Sequence, residues 1–267
     1  MAVNYQAAPA WNDMRDSHLG LAQGIQEENS VQQYPLGFRV ALSDGRVFRY
    51  TENGGVALAA GKLVSPPLDF LERKDDITVA APQFATQVTH TAVGTITANQ
   101  YQDGFLCVVN DAGEGIQYKI KSHPAIAAAA AGVITLYDGI ITALTTSSDI
   151  MLIPSLYKDV RLNPNTICKT VGVPPIPVTL DYFFWTQTWG QALVLCGDAL
   201  GDAATERWCA PAGATGEFVS TAGGVPGTEI IGQQMAAGTG STAAATNVVD
   251  GEYFPILVAE VPTVANG

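Results

Sequence analysis

Apolar and polar residues alternate with a period of two from Gly37 onward. The alternation runs through Phe38–Leu42, turns at Ser43-Asp44-Gly45 and resumes through Arg46–Tyr50. An Asp-Gly pair between two alternating runs favours a tight hairpin, because glycine accepts the positive φ that such turns require. The pattern therefore predicts a β-hairpin.

A strand-and-turn layout occurs twice in the C-terminal two-thirds of the chain. The first copy runs from Gly104–Val109 to Asp149–Ile153, and the second runs from Gln191–Cys196 to Gly251–Val258. Each copy begins with a short apolar strand, crosses a middle rich in glycine and alanine, and ends on an apolar strand introduced by an acidic residue. This layout is typical of small β-modules.

These patterns divide the chain into five segments and predict a mainly β fold. An extended N-terminal arm spans residues 1–35, and the hairpin with a connecting segment spans residues 36–86. Two modules resembling small β-barrels or β-sandwiches span residues 87–160 and 178–267. The segment 161–177 between them is rich in proline, which disfavours helices and interior strands, so we interpret it as a linker.

The N-terminal arm has scattered apolar residues, among them Trp11, but no sustained helical or strand period. Such a segment cannot bury itself, so we expect it to lie across another surface. Disorder is the alternative interpretation.

An aromatic cluster lies at the start of the second module. In a strand, Tyr182 and Phe184 fall on one face, and Phe183, Trp185 and Trp189 fall on the other. A strand that is apolar on both faces is buried on both, within a two-layer core or against another subunit. Stacking of these rings on sugars is the alternative.

One short helix is predicted inside the first module. Ser122 precedes His123-Pro124, an alanine run follows, and Gly132 comes after it. Serine at an N-cap, proline in the first turn and glycine past the end favour a helix. A flexible loop is the alternative for this segment.

The composition favours assembly with other subunits. Only 14% of the residues are charged and 47% are hydrophobic, whereas soluble domains carry about 25% charged residues. An ordinary extracellular protein is the alternative explanation. The formal net charge of −12 repels phosphate backbones, and no basic stripe offsets it, so nucleic-acid binding is not expected.

The sequence shows no recognisable reactive centre. His18, His90 and His123 lie far apart and match no metal-binding spacing, and there is no nucleophile elbow. We therefore expect no catalytic residue, no metal site and no cofactor, and we predict that the chain is not an enzyme.

Two groups of residues leave alternatives open. Asp198, Asp202 and Glu206 fit a glycine-rich turn, with paired catalytic carboxylates or Ca²⁺ ligands as the alternative. The four cysteines, at positions 107, 168, 196 and 209, lack C-x-x-C spacing, so we interpret them as reduced, buried thiols, with disulfides as the alternative.

The chain shows no signal peptide and no apolar run of membrane-spanning length. The expectation is a protein made in a cytoplasm, with no membrane partner.

Several segments together resemble a known family. Ala192-Leu193-Val194, Gly197-Asp198, Ile230-Ile231-Gly232 and the closing Phe254–Val258 resemble the small β-barrel of tailed-bacteriophage head decoration, or cement, proteins. The hairpin with Gly45–Tyr50 and the following Ala57-Leu58-Ala59-Ala60-Gly61 resemble phage structural proteins of the same kind. The resemblance covers about residues 37 to 260 and depends on layout and loose motifs. This chain is longer than the simplest members.

The resemblance implies a structural virion protein on the capsid exterior, made in the host cytoplasm and often trimeric at three-fold positions. Its partners would be the major capsid protein and further copies of itself. The contact residues expected on this basis are Trp11 in the arm, Arg39, Arg46 and Arg49 toward an acidic capsid surface, and Trp185 and Trp189 in the aromatic cluster. The alternatives are a tail-associated or receptor-binding module that recognises surface glycans, and an enzyme acting on carbohydrate.

Overall fold

The computed structural model contains only β-strands as regular elements in the part of the chain that it describes, which confirms the predicted mainly β fold. The structure describes residues 22–67, 72–164, 169–197, 208–212, 216–221, 229, 231–234 and 253–258. The chain divides into two compact units. Unit 1 combines Met1–Pro66 with Tyr157–Gly267, and unit 2 is Pro67–Leu156.

In chain order the strands are β1 Arg39–Ala41, β2 Val47–Glu52, β3 Val64–Ser65, β4 Glu72–Lys74, β5 Gln87–Thr91, β6 Phe105–Asn110, β7 Gln117–Ser122, β8 Ala131–Leu136, β9 Asp149–Ile153, β10 Arg161–Leu162, β11 Phe183–Leu195, β12 Trp208–Ala212, β13 Glu217–Thr221, β14 Gly232–Gln234 and β15 Tyr253–Val258.

Unit 2 is a six-stranded antiparallel sheet in the order β4-β9-β6-β7-β8-β5. Alternate residues of its strands enter one hydrophobic core, as the period-two pattern predicts. Leu106 lies opposite Leu152 and Val108 lies opposite Ile150, and these side chains are buried. The strands predicted at 104–109 and 149–153 are both present, as β6 and β9.

The helix predicted after Ser122 is wrong. Ser122 ends β7, Ile126 forms a two-way backbone bridge with Ile96, and Ala131 begins β8. A helix this short is marginal without tertiary support, whereas burying Ile126 in the core of unit 2 stabilises the extended conformation. Gly132 allows this packing, because a Cβ there would lie 2.4 Å from the Ile126 Cδ1 atom.

Unit 1 contains a seven-stranded antiparallel sheet in the order β1-β2-β11-β15-β14-β12-β13. The predicted hairpin is present as β1 and β2, with Gly45 at a φ of 87° in the turn. The long strand β11 pairs with β2 along its first half and with β15 along its second half. The hairpin and the second predicted module therefore share one sheet, a pairing over more than 130 positions in sequence that no local pattern indicates.

The far end of this sheet curls back to β11 and forms a barrel-like body. Cys196, just after β11, forms a parallel bridge with Phe218 of β13, and the Gly197 N–H donates to the Phe218 carbonyl at 2.8 Å. The core of the barrel includes Phe218 and the two thiols Cys196 and Cys209, all buried. Both thiols are free and buried, as predicted at these positions, and burial raises the pKa of the Cys209 thiol.

Residues 22–35 of the predicted arm pack on their own sheet. Asn29 forms a two-way bridge with Phe183, and the side chain of Gln23 is buried between the arm and β11. The Trp185 Nε1–H donates to the Gln23 carbonyl at 3.0 Å, and the Tyr50 hydroxyl donates to Gln23 Oε1 at 2.6 Å. This part of the arm is thus held by specific hydrogen bonds within unit 1.

Candidate interaction surface

The two faces of β11 alternate as predicted up to Gln187. Trp185 and Phe183 pack in one cluster with Tyr50, whereas Phe184 and Tyr182 pack in a second cluster on the opposite face. Both faces are covered within the chain here, which is the two-layer core that the sequence analysis offered as one interpretation.

The face predicted for Trp189 is wrong, because the strand contains a bulge. Trp185 lies opposite Tyr50 and Gln187 opposite Phe48, but Trp189 lies opposite Val47, so the register shifts between Gln187 and Trp189. One extra residue in a bulge transfers every following side chain to the other face of the strand. Trp189 therefore lies on the face opposite Trp185.

Beyond the bulge this face of the sheet is open to solvent. Trp189, Gln191 and Leu193 alternate with the buried Gly190, Ala192 and Val194, and Leu257 of β15 lies opposite Gln191. The exposed fractions of the three apolar residues are 42% for Trp189, 57% for Leu193 and 42% for Leu257. We call Trp189, Gln191, Leu193 and Leu257 the outer face, and none of these residues is charged.

Two of the arginines predicted as partner contacts are cross-strand neighbours and share one face of the sheet. Arg39 and Arg49 lie directly opposite each other in the β1–β2 pair. The Arg49 Nη1 donates to the Gly37 carbonyl at 3.0 Å, and its guanidinium lies over the Tyr157 ring. Like charges directly across an antiparallel pair repel each other.

The third predicted arginine, Arg46, is engaged with its own turn. Its Nε donates to Asp44 Oδ2 at 2.7 Å. Burial would raise the pKa of Asp44, but the hydrogen bonds from Arg46 outweigh it and hold that pKa below its usual value. Arg46 and Asp44 line a shallow groove together with Gln191 and Leu193, so this pair of opposite charges borders the outer face.

Trp185 is not a surface residue, which corrects its prediction as a partner contact. Its side chain is fully buried, and its ring lies 5.1 Å from that of Tyr50 and 5.4 Å from that of Tyr34, measured between centroids. Trp185 stabilises unit 1 and is inaccessible to a partner or a sugar in this fold.

The remaining predicted site residues lie outside the described part of the chain. These are Trp11 and the acidic group of Asp198, Asp202 and Glu206.

Leu193 and Leu257 are surface residues that the sequence analysis placed in apolar strands without recognising their exposure. Leu193 belongs to the run Ala-Leu-Val-Leu, in which all positions are apolar. Because apolar and polar residues do not alternate there, the sequence does not indicate which of these side chains is exposed. Only the pairing of β11 with β15 shows which of these side chains point outward.

A carboxylate connects the outermost strands of unit 2. Glu72 of β4 accepts hydrogen bonds from the Val93 N–H and, at 3.4 Å, from the Gly94 N–H. Its Oε1 also lies 3.4 Å from Nε2 of the fully buried His90 in β5. Burial lowers the pKa of His90 below 6.5, against the opposing effect of Glu72, so the imidazole is neutral at pH 7.

Neither a metal cluster nor a spanning helix is found among the described residues. In the described ranges no three His, Cys, Asp or Glu side chains are grouped so that they could hold a metal ion. The same ranges contain no helix long and apolar enough to cross a membrane.

The chain matches no known protein family, no curated protein and no solved structure.

Proposed function

We propose that this chain is a structural virion protein that binds the outer surface of a bacteriophage capsid and stabilises the assembled shell. The outer face is the observation that supports this function most directly. Tryptophan and leucine side chains are exposed together on an uncharged strip of a chain whose formal net charge is −12. Aromatic anchors with few charges are typical of the centres of protein interfaces.

The stabilisation follows from linkage. A protein that binds the assembled shell more tightly than separate capsid subunits shifts the equilibrium toward the shell. No chemical step is required, so in this proposal the chain is not an enzyme. Burying Trp189, Leu193 and Leu257 against a capsid subunit would supply the apolar contribution, and the Arg39–Arg49 pair would contact acidic capsid groups.

The proposed form on the capsid exterior is a homotrimer, as in the decoration proteins that the sequence resembles. In this proposal the segment 1–21 with Trp11 reaches over adjacent subunits. Because residues 22–35 pack on their own sheet, the informative deletion is 1–21 rather than the whole arm. We expect this deletion to weaken capsid occupancy and to leave the fold intact. Undiminished occupancy would contradict the role of the segment.

The main test compares two matched apolar-to-acidic substitutions. Leu193→Asp alters the outer face, whereas Ile141→Asp alters a residue of unit 2 that is similarly exposed, 61% against 57%. Purified proteins are mixed with undecorated capsids of the virus that encodes the chain, and bound protein is measured by co-sedimentation. We expect Leu193→Asp to weaken binding about tenfold or more and Ile141→Asp to have little effect.

Equal binding by both variants and the unmodified chain would reject the outer face as the capsid contact. Failure of the unmodified chain to bind capsids would reject the proposed function itself. Light scattering of the unmodified chain in solution would show a trimer mass if the proposed oligomeric state is right.

A tail-associated or receptor-binding module that recognises glycans is a second candidate, and the exposure of Trp189 favours it. A solvent-exposed indole beside the polar Gln191 can stack on a sugar ring and donate to its hydroxyls. Binding on a glycan array that is lost in Trp189→Ala would support this candidate, and absence of binding would reject it. Trp185 does not enter this test because it is buried.

A further inference from the structure

The edge of β11 that faces β2 is only partly paired. β2 begins at Val47, which lies opposite Trp189, so it leaves the later residues of β11 uncovered on this edge. At the far end the Leu195 N–H donates to the Gly61 carbonyl at 2.8 Å. Between these two contacts, no strand in the described part of the chain pairs with this edge of β11.

The backbone amides of Gln191 and Leu193 point to this open stretch. The N–H groups of successive residues alternate between the two edges of an antiparallel strand, so Gln191 and Leu193 share the edge of Leu195. Leu193 lies opposite Pro255 of β15, and proline has no N–H, which agrees with a position that makes no hydrogen bond to β15. Neither amide has a backbone acceptor among the residues that the structure describes.

A groove of about 360 Å³ lies beside these amides, so there is space for a ligand at this edge. It is lined by Asp44 and Arg46 from the hairpin connection and by Gln191, Ala192 and Leu193 from β11. Asp44 and Arg46 form an ion pair at 2.7 Å, and the three strand residues are uncharged. The groove therefore requires no net charge of its occupant.

The open stretch of β11 lacks the features that protect strand edges. Natural proteins cover such edges or place charged residues or proline on them, because an open edge is a template for pairing with another chain. The open stretch carries Gln191, Ala192 and Leu193, and the side chain of Leu193 is 57% exposed. These residues favour the addition of a strand.

We propose that this groove binds an extended segment of the major capsid protein, which adds to the edge of β11 as a short strand. Two carbonyls of the segment would accept hydrogen bonds from the N–H groups of Gln191 and Leu193, and an apolar side chain would pack beside Leu193. Donors at alternate residues of a strand match the carbonyls of an extended peptide, which identifies the chemical class of the occupant.

The capsid is the source of the segment because the groove is continuous with the outer face, which shares Gln191 and Leu193 with it. A capsid subunit that covers the outer face would meet the groove as well. The inference thus rests on the proposed capsid function, and it adds the way in which the contact is made.

Amide hydrogen exchange of the full chain tests whether the edge is open. Without capsids, we expect the amides of Gln191 and Leu193 to exchange at least about tenfold faster than those of Ala192 and Val194, which point toward β15. Equal protection of all four amides would overturn the proposal, because the edge would already be paired. Protection that rises with the concentration of the chain alone would assign the edge to a second copy and would also overturn it.

Two substitutions at one position test the hydrogen bonds to the capsid. Leu193→Ala and Leu193→Pro both remove the leucine side chain, but only proline removes the N–H. Proline is tolerated where the N–H of a strand points away from its neighbour. In co-sedimentation with undecorated capsids, Leu193→Pro should bind about tenfold more weakly than Leu193→Ala, because a carbonyl of the segment loses its donor on burial.

The outcomes separate this inference from the proposed function. Equal binding by the two variants overturns the added strand and leaves the capsid function in place. Failure of the unmodified chain to bind capsids rejects the function and the capsid segment together. If Leu193→Pro does not fold, exchange of the unmodified chain on capsids decides. The Gln191 and Leu193 amides should then exchange about tenfold more slowly than in the free chain, and unchanged rates would contradict the proposal.

Discussion

The two units join the ends of their sheets by different chemistry. In unit 2 the outermost strands β4 and β5 meet through the Glu72 side chain, which binds the Val93 and Gly94 amides and approaches His90. In unit 1 the far strand β13 returns to the end of β11 through backbone groups, with the Gly197 N–H donating to the Phe218 carbonyl. A backbone hydrogen bond does not titrate, whereas the imidazole of His90 does.

The difference indicates where each unit is vulnerable. The core of unit 2 is a single hydrophobic cluster, and its edge contact depends on one ionisable side chain. The described residues of unit 1 form three clusters, one of which is aromatic and holds residues 22–35 against the sheet. We therefore expect unit 1 to be most sensitive to aromatic substitutions and unit 2 to be most sensitive to changes at Glu72 and to pH.

The largest effect is expected for Trp185→Ala. Replacing a fully buried tryptophan by alanine leaves a large cavity and removes the hydrogen bond to the Gln23 carbonyl, so unit 1 should lose about 3–5 kcal/mol. Urea unfolding followed by fluorescence measures this change, because all four tryptophans, at positions 11, 185, 189 and 208, belong to unit 1. A loss below about 1 kcal/mol would mean that the aromatic cluster does not stabilise the unit.

Glu72→Ala should have the next largest effect, and it should be confined to unit 2. The substitution removes the acceptor of the Val93 and Gly94 amides and leaves Nε2 of the fully buried His90 without its partner, so it should cost about 1–3 kcal/mol. Hydrogen exchange of β4 and β5 measures it, with Glu114→Ala, at an exposed residue of the same unit, as the control. If the amides of β4 and β5 are equally protected in both variants, the Glu72 side chain does not hold these strands together. The contrast with the backbone contact between β13 and the end of β11 in unit 1 would then be wrong.

Acidification should destabilise unit 2 moderately. Burial lowers the folded-state pKa of His90, so as the pH falls the imidazole is protonated in the unfolded chain before it is protonated in the folded chain. The stability that unit 2 has above about pH 6.5 is therefore lost as the pH falls. Glu72, Lys74 and His123 are the charged and titratable groups that act on His90. The slope should not exceed about 1.4 kcal/mol per pH unit, and His90→Gln should flatten it.

Unit 1 should not lose stability over the same pH range. Burial raises the pKa of Glu52 and of Glu229 above their usual values. Their contribution to the stability of unit 1 is therefore present at low pH and is lost as the pH rises. Hydrogen exchange of both units at pH 6.5 and 5.5 compares the two responses. A parallel decline in both units would contradict the comparison.

The smallest effect on stability is expected for Trp189→Ala. Although the residue type is the same as in Trp185→Ala, the side chain is 42% exposed, and the free energy of unfolding should change by no more than about 0.5 kcal/mol. The same urea titration measures it. A loss as large as that of Trp185→Ala would show that the outer face is part of the core.

Much of the local structure follows from sequence patterns. The alternation around Asp44-Gly45 predicted the hairpin, and β9 spans the same residues as its predicted strand, Asp149–Ile153. The separation of Phe183 and Trp185 from Tyr182 and Phe184 was also predicted, because strand geometry sends alternate side chains to opposite faces.

The candidate surface was predicted less well than the strands that carry it. Trp189 was named, but on the wrong face, and Trp185 was named although it is buried. Arg39 and Arg49 were named without any sign that they are cross-strand neighbours. Each of these errors concerns which strand lies next to which, and such pairing depends on residues distant in the sequence.

The sequence by itself determined the strand positions, the turns and the alternation of side chains, because these depend on neighbouring residues and backbone sterics. The tertiary structure alone decided that Ile126 is in a bridge rather than a helix, that the bulge before Trp189 reverses its face, and that the amides of Gln191 and Leu193 lie on an open edge. The physical reason is that burial and strand pairing release more free energy than local propensity does, and their outcome depends on the whole chain.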